Sequence, residues 1–139
     1  MSKLEDLFAQ LWVEKYPNVD LISQFKTIPK RRFRVDFAHL RSKVAIEIQG
    51  GRWLKGGHTT GKGMYADCEK AVLSASLGWL VLPIVDQMIN DDYLEIIYNI
   101  IKLRETSNVG ISLLSETTPG RTKTGKSLQN RRRNRSKIA

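Results

Sequence analysis

Apolar residues recur along the chain at two spacings, one typical of helices and one typical of strands. Helical spacing predicts three amphipathic helices, over residues 3–15, 64–77 and 91–104. Alternating or continuous apolar runs predict four strands, over residues 21–28, 33–39, 44–49 and 79–85. The resulting order, α-β-β-β-α-β-α, predicts an α/β (α+β) fold in which helices flank a mixed four-stranded sheet.

The connections between these strands predict how the sheet is assembled. A turn of four residues, 40–43, joins the second and third strands, which should therefore form an antiparallel hairpin. The helix between residues 49 and 79 makes a crossover, which should set the third and fourth strands parallel. Alternation places Val35 and Phe37 on one face of the second strand, and the dense apolar run 79–85 predicts a strand buried on both faces.

Length and cysteine content place the chain among ordinary intracellular domains. Its 139 residues suffice for one domain, and no apolar run approaches the roughly 18 residues that a membrane span needs. A single cysteine, Cys68, makes no internal disulfide, so we expect a reducing, cytoplasmic setting. Cys68 lies in a helical pattern and is predicted to be a small core residue. His39 ends a strand beside a turn and is predicted to be structural.

The net charge of +9 is concentrated at the C-terminus. Residues 120–139 contain eight Lys or Arg and no Asp or Glu, so residues 1–119 carry 15 basic and 14 acidic groups. Such a block repels itself and has little to bury, which predicts a disordered basic arm. Residues 105–119 are weakly patterned and would form a linker. The arm suits a polyanion, because each neutralised phosphate releases counterions. A solubilising tail or a localisation signal is the alternative.

Two carboxylates occupy the predicted hairpin. A turn centred near Ser42 would set Asp36 beside Glu47, and two neighbouring carboxylates repel each other unless a cation lies between them. Mg²⁺ favours one or two carboxylates together with substrate phosphate. The chemistry that follows is attack on a phosphodiester by metal-activated water. The structural alternative is that both carboxylates lie on a solvated face, where Arg34 pairs with Asp36.

The segment after the hairpin favours a functional site. Gly50 and Gly51 permit a close backbone approach, and the polar, glycine-rich loop that follows holds His58. Such a loop is poor core material. Trp53 in this loop is either a cover over the site or a stacking surface for a base.

These motifs together resemble a known superfamily. Asp36 followed by Glu47-Ile48-Gln49 resembles the D…(D/E)-x-K motif of the PD-(D/E)XK nucleases, whose restriction-endonuclease-like core has the order predicted above. A longer string resembles small phage endonuclease-like proteins of the Vsr-type branch, which includes mismatch endonucleases and the EDxHD homing endonucleases. It comprises Glu5, Arg34-x-Asp36-Phe37, Glu47-x-x-Gly50-Gly51-x-Trp53, Gly57-His58, Gly63, Asp67-x-Glu69-Lys70 and Gly78-Trp79-x-Val81-Leu82.

The resemblance covers about residues 3–85 and implies a nuclease domain over residues 1–104. It implies that Asp36 and Glu47 are metal ligands, beside the Ile48 carbonyl, and that Glu5 holds the metal or its water. His58 would be the general acid or base, and Asp67 would orient it or complete the ligand shell of the metal. The implied cofactor is Mg²⁺, with Mn²⁺ as a substitute, and the implied partner is DNA.

One position departs from the superfamily motif. Gln49 stands where the motif has lysine, and an amide carries no positive charge toward a phosphate. His58 or Lys70, which follows Asp67 by three residues on one helix face, would then supply the missing function.

Several arginines are predicted to contact DNA, and the function is left between three possibilities. The predicted DNA contacts are Arg31, Arg32, Arg34, Arg131, Arg132, Arg133 and Arg135. The leading prediction is a Mg²⁺-dependent endodeoxyribonuclease of homing or mismatch type. The alternatives are a Holliday-junction-resolvase-like nuclease and a non-catalytic DNA-binding protein on the same fold. A homodimer or higher homo-oligomer is compatible with each.

Overall fold

A computed structural model of the chain describes residues 1–50 and 61–115, with side chains described as far as residue 107. Its elements follow the predicted order. They are α1 (Lys3–Lys15), β1 (Ile22–Phe25), β2 (Val35–His39), β3 (Val44–Gln49), α2 (Gly61–Ser76), β4 (Leu80–Val85), a 3₁₀ turn (Asp86–Met88) and α3 (Asp91–Ser115). No helix in these described ranges is both long and apolar enough to cross a membrane.

The four strands form one mixed sheet in the order β1-β2-β3-β4. β1 with β2 and β2 with β3 are antiparallel, which confirms the predicted hairpin. β3 and β4 are parallel and are joined by the α2 crossover, as predicted. Gly78 ends that crossover helix at φ +85°, a left-handed conformation that glycine adopts without a Cβ penalty.

Two apolar clusters lie on the two faces of this sheet. The larger cluster joins α1 and α3 to one face, and its fully buried members include Phe8, Val44, Ile46 and Leu94. The smaller cluster contains Val35, Ala38, Ala45 and Trp79. On the same side, the Thr27 and Ser74 hydroxyls share a buried hydrogen bond of 2.8 Å that ties α2 to the segment after β1. The sheet is therefore covered by α1 and α3 on one face and by α2 on the other.

Strict alternation fails at the start of β2. Phe37 packs in the larger cluster and Val35 in the smaller one, although both were predicted on one face. The β2–β3 pairing runs from His39↔Val44 to Phe37↔Ile46, and at Asp36 a side-chain contact to β3 replaces a backbone contact. Val35 lies beyond the last paired residues of the β2–β3 ladder, whereas Phe37 lies within it.

Two predictions of burial are also corrected. Cys68 is exposed, because the inward stripe of α2 is set by Ala66, Leu73 and Ser74, and Cys68 lies off it. β4 is not buried on both faces: Leu80 and Pro83 are exposed, as suits a strand at the edge of the described sheet.

The last helix is longer than predicted, since α3 continues to Ser115 through residues assigned to a linker. No proline interrupts the chain between Pro83 and Pro119, so nothing in the sequence forces an earlier end. The basic arm over residues 120–139 lies outside the described residues and stays a prediction.

Candidate active site at the open end of the hairpin

The open end of the β2–β3 hairpin is organised by a carboxylate. Continuing the register of Phe37↔Ile46 by one residue would set Asp36 opposite Glu47. At this point the Ile48 N–H donates a 2.6 Å hydrogen bond to Asp36 Oδ2. The Ile48 N–H thus donates to an acidic side chain instead of a backbone carbonyl of β2. This short, charge-assisted hydrogen bond fixes the orientation of Asp36.

A cleft of about 200 Å³ opens here. Asp36 and Glu47 line it, together with residues at the end of β3 and residues from the middle of α2. Its lining residues are Arg34, Asp36, Glu47, Ile48, Gln49, Gly50, Asp67 and Lys70. A cleft with this much charge and almost no apolar lining is suited to a polar, charged ligand rather than to an apolar one.

Burial and neighbouring charges shift the acidity of Asp36. Burial raises the pKa of its carboxyl above the ordinary value, and the nearby negative charge of Glu5 raises it further. The Ile48 N–H, the Lys70 ammonium and Gln24 act in the opposite direction and lower the pKa. For Asp36, burial thus outweighs the neighbouring groups that favour the charged form of its carboxyl.

Lys70 reaches this cleft from the inward face of α2. Its ammonium forms an ion pair with Glu47 and donates a 2.8 Å hydrogen bond to the Arg34 carbonyl. The side chains of Lys70 and Glu47 are only 16% and 18% exposed. Burial lowers the pKa of the Lys70 ammonium, and the negative charge of Asp36 raises it in part. One ammonium therefore acts electrostatically on both hairpin carboxylates.

The donor atoms present suit a hard divalent ion. Two carboxylates and the Ile48 carbonyl are oxygen ligands of the kind that Mg²⁺ binds while it keeps several waters. Within residues 1–50 and 61–107, no group of three or more His, Cys, Asp or Glu side chains forms a ready-made metal cluster. The set fits a site completed by water or substrate, and an ion that binds Glu47 must share that carboxylate with Lys70.

Glu5 lies near this site. It belongs to the first turn of α1, where its own N–H donates to the Ser2 side chain that caps the helix. Gln24 Nε2 lies 3.5 Å from Glu5 Oε2, and the charge of Glu5 acts on Asp36. The structure thus brings Glu5 to the rim beside Asp36.

The predicted DNA contacts divide into two groups. Arg34 lines the cleft, and its guanidinium donates a 3.0 Å hydrogen bond to the Gln24 carbonyl. Arg31 pairs with Glu69 of α2 at 3.1 Å, and Arg32 is exposed. The rest lie outside the described residues, as do His58 and Trp53. The predicted DNA-contacting arginines outside the described residues are Arg131, Arg132, Arg133 and Arg135.

Gln24 is a contributor that sequence reasoning missed. It has a positive φ of 51°, an uncommon conformation for a residue with a side chain. Its amide reaches Glu5, its carbonyl accepts from Arg34, and it lowers the pKa of Asp36. A glutamine in a predicted strand carries no pattern that signals such a position.

The opposite end of the same hairpin holds a second polar cluster. His39 Nδ1 lies 2.8 Å from Ser42 Oγ, and His39 Nε2 lies 3.6 Å from a Glu105 carboxylate oxygen. Arg104 Nε donates to the Ser42 carbonyl and its Nη2 to the Gly78 carbonyl. Ser42 is fully buried, so its hydroxyl is not accessible as a nucleophile. This cluster ties α3 to the hairpin turn, in agreement with the structural role predicted for His39.

Comparison with known proteins adds evidence on the fold. No protein-family model and no curated protein sequence matches the chain. Among solved structures, the fold is similar to that of the catalytic domain of a homing endonuclease. That structure is the I-Bth0305I catalytic domain, which superposes with a TM-score of 0.55 and 21% identity over 75% of this chain and 98% of the other. At this identity the similarity establishes a common fold.

Proposed function

We propose that the chain is a divalent-metal-dependent endonuclease that hydrolyses phosphodiester bonds in DNA at the open end of the β2–β3 hairpin. The observation that carries this proposal is the convergence of Asp36, Glu47 and the Ile48 backbone on one charged cleft. The fold shared with a homing endonuclease catalytic domain supports the same conclusion.

Each group in the cleft has a task in this chemistry. Asp36, Glu47 and the Ile48 carbonyl would hold Mg²⁺ or Mn²⁺, and Glu5 would orient a water at the rim. When bound, the ion supplies Lewis acidity toward the phosphodiester and lowers the pKa of water. Asp36 is held by the Ile48 N–H so that its second carboxylate oxygen is directed away from that contact. His58 is the proposed general acid or base.

DNA binding draws on positive charge beside the cleft. Arg34 lies on the cleft itself, and Arg31 and Arg32 precede it on the same segment. Such residues position phosphates without reading bases. The basic arm adds affinity that does not depend on sequence. We propose a homing or mismatch-type target, and a branched junction is the alternative substrate.

A cleavage assay tests this function directly. End-labelled duplex, nicked, mismatched and four-way-junction DNA would each be incubated with Mg²⁺, Mn²⁺ or EDTA. We expect cleavage of at least one substrate with either ion and no cleavage in EDTA. Asp36→Asn protein, purified in the same way, controls for contaminating nucleases.

The assay also separates the alternatives. Cleavage confined to the four-way junction would identify a junction nuclease. DNA binding without cleavage of any substrate would contradict the proposal and identify a binding protein on a nuclease fold.

A further inference from the structure

The residue two positions after Glu47, Gln49, carries no positive charge. Gln49 follows Glu47 by two residues on β3, and both line the cleft. An amide donates hydrogen bonds but carries no net charge, so it does not offset the negative charge that develops on a phosphate under attack. A lysine that serves this site beside the divalent ion therefore has to come from another element.

A lysine from α2 occupies the same cleft. The partly or fully buried residues of α2 follow helical spacing and form a stripe that faces the sheet; they are Gly63, Ala66, Glu69, Lys70, Leu73 and Ser74. A lysine on such a stripe loses much of its hydration and has to be compensated by partners. Lys70 is compensated by the Glu47 carboxylate and the Arg34 carbonyl, which accept two of its N–H groups.

An ammonium has three N–H groups, and the two contacts within the described residues leave one of them for a ligand in the cleft. Lys70 itself lines the cleft, and among the described residues its hydrogen bonds are the two to Glu47 and Arg34. The Arg34 carbonyl holds the ammonium against the β2 end of the site, so the cation stays in place when Glu47 takes another partner.

The geometry points to Lys70 as the catalytic cation of the site, delivered by α2 in place of a lysine at position 49. Before the divalent ion binds, this ammonium neutralises Glu47. When the ion shares Glu47, the Arg34 carbonyl retains the ammonium, which turns its charge toward the scissile phosphate. This inference rests on the proposed endonuclease function.

Moving the lysine between the two elements tests the catalytic part. Lys70→Met should lower the single-turnover cleavage rate by about 100-fold or more, as expected for loss of one group that stabilises transition-state charge. Adding Gln49→Lys to that variant should raise its single-turnover cleavage rate again by at least tenfold. Lys62→Met, which removes an exposed lysine from the same helix, is the matched control and should cleave within threefold of the wild type.

Two results would overturn the inference. One is normal cleavage by Lys70→Met. The other is a loss that Gln49→Lys does not restore at all, which would indicate a structural lysine. If Lys70→Met is unfolded, Lys70→Gln keeps a polar hydrogen-bond donor but removes the charge, and should show the same loss and the same restoration.

A measurement without DNA tests the shared carboxylate. The melting temperature of each variant would be followed as Mn²⁺ is added. Because no ammonium competes for Glu47, the melting temperature of Lys70→Met should begin to rise at an ion concentration about threefold or more below that of the wild type. An unchanged or weaker response would contradict the inference.

The two tests fail separately. If the wild type cleaves no DNA substrate, the proposed function fails, while the Mn²⁺ titration still decides whether Lys70 and a divalent ion share Glu47. If the wild type cleaves and Lys70→Met cleaves equally well, only the role of Lys70 fails.

Discussion

The two ends of the β2–β3 hairpin are both rich in polar groups, yet they are built for different purposes. At the turn end, Ser42 is fully buried, His39 is held by Ser42 and Glu105, and Arg104 spans two backbone carbonyls. At the open end, Asp36 and Glu47 line a cleft of about 200 Å³.

The difference lies in whether the charged groups are enclosed. At the turn end the charged and polar groups bind other groups of the protein, and these contacts stabilise the packing of α3 against the hairpin turn. At the open end, within the part of the chain that the structure describes, the Lys70 ammonium acts on both carboxylates, and burial raises the pKa of Asp36. A partly buried carboxylate with a perturbed pKa beside an open cleft is typical of a binding site.

Asp36→Asn should abolish cleavage and leave DNA binding intact. An asparagine oxygen still accepts from the Ile48 N–H, so the fold is kept while the charge that holds the ion is lost. Cleavage and gel-shift assays on the same preparation would measure both. Residual cleavage near the wild-type rate would mean that the open end is not the active site.

His58→Ala should lower turnover by about 100-fold, because His is the side chain best suited to proton transfer near neutral pH. Metal and DNA affinity should be nearly unchanged, which single-turnover kinetics and binding titrations would establish. A normal rate in this variant would remove His58 from the chemistry and leave proton transfer to other groups of the cleft.

Deleting residues 120–139 should weaken DNA binding without changing either end of the hairpin. The deletion removes eight positive charges, and each lost phosphate contact reduces the slope of log affinity against log salt by about 0.9. Binding at several salt concentrations measures this slope. The melting temperature and the cleavage rate at saturating DNA should stay the same. An unchanged slope would assign the arm another purpose.

Ser42→Ala should destabilise the fold and leave catalysis alone. It removes the hydroxyl that contacts His39 Nδ1 and the His39 carbonyl, while the Ser42 N–H still donates to Nδ1, so we expect a loss of about 0.5–1.5 kcal/mol in the free energy of unfolding. Urea denaturation measures the loss. A variant that unfolds normally but cleaves slowly would contradict the division between the two ends.

The smallest effect concerns pH. Burial lowers the pKa of His39, with the charges of Lys102 and Arg41 acting in the same direction and Glu105 and Asp20 opposing them. Below the ordinary pKa of about 6.5 the unfolded chain takes up this proton first. Stability should therefore fall as the pH drops from 6.5 through the lowered folded value. His39→Gln should remove that part of the dependence, as denaturation at several pH values would reveal.

The fold followed from the sequence because its signals are local. Hydrophobic spacing predicted every element, and the short turn at residues 40–43 predicted the hairpin register. Cys68 and β4 were misjudged because apolar character does not say which face of an element is covered.

The site was only partly predictable. Asp36 and Glu47 stand out because charge interrupts apolar strands. The position of Lys70 on the inward stripe of α2 is visible from its spacing to Leu73 and Ser74, but its contact with Glu47 depends on how α2 crosses the sheet. Gln24 enters through an unusual backbone conformation that no spacing predicts.

A measurement of divalent-ion binding decides whether the metal is held at the open end of the β2–β3 hairpin or at its turn end. Mn²⁺ binding would be measured by electron paramagnetic resonance, in which the signal of free Mn²⁺ decreases as the protein takes up the ion. The wild type and Ser42→Ala should bind Mn²⁺ with the same affinity, and Asp36→Asn should lose that binding. Equal Mn²⁺ binding by the wild type and Asp36→Asn would contradict the account.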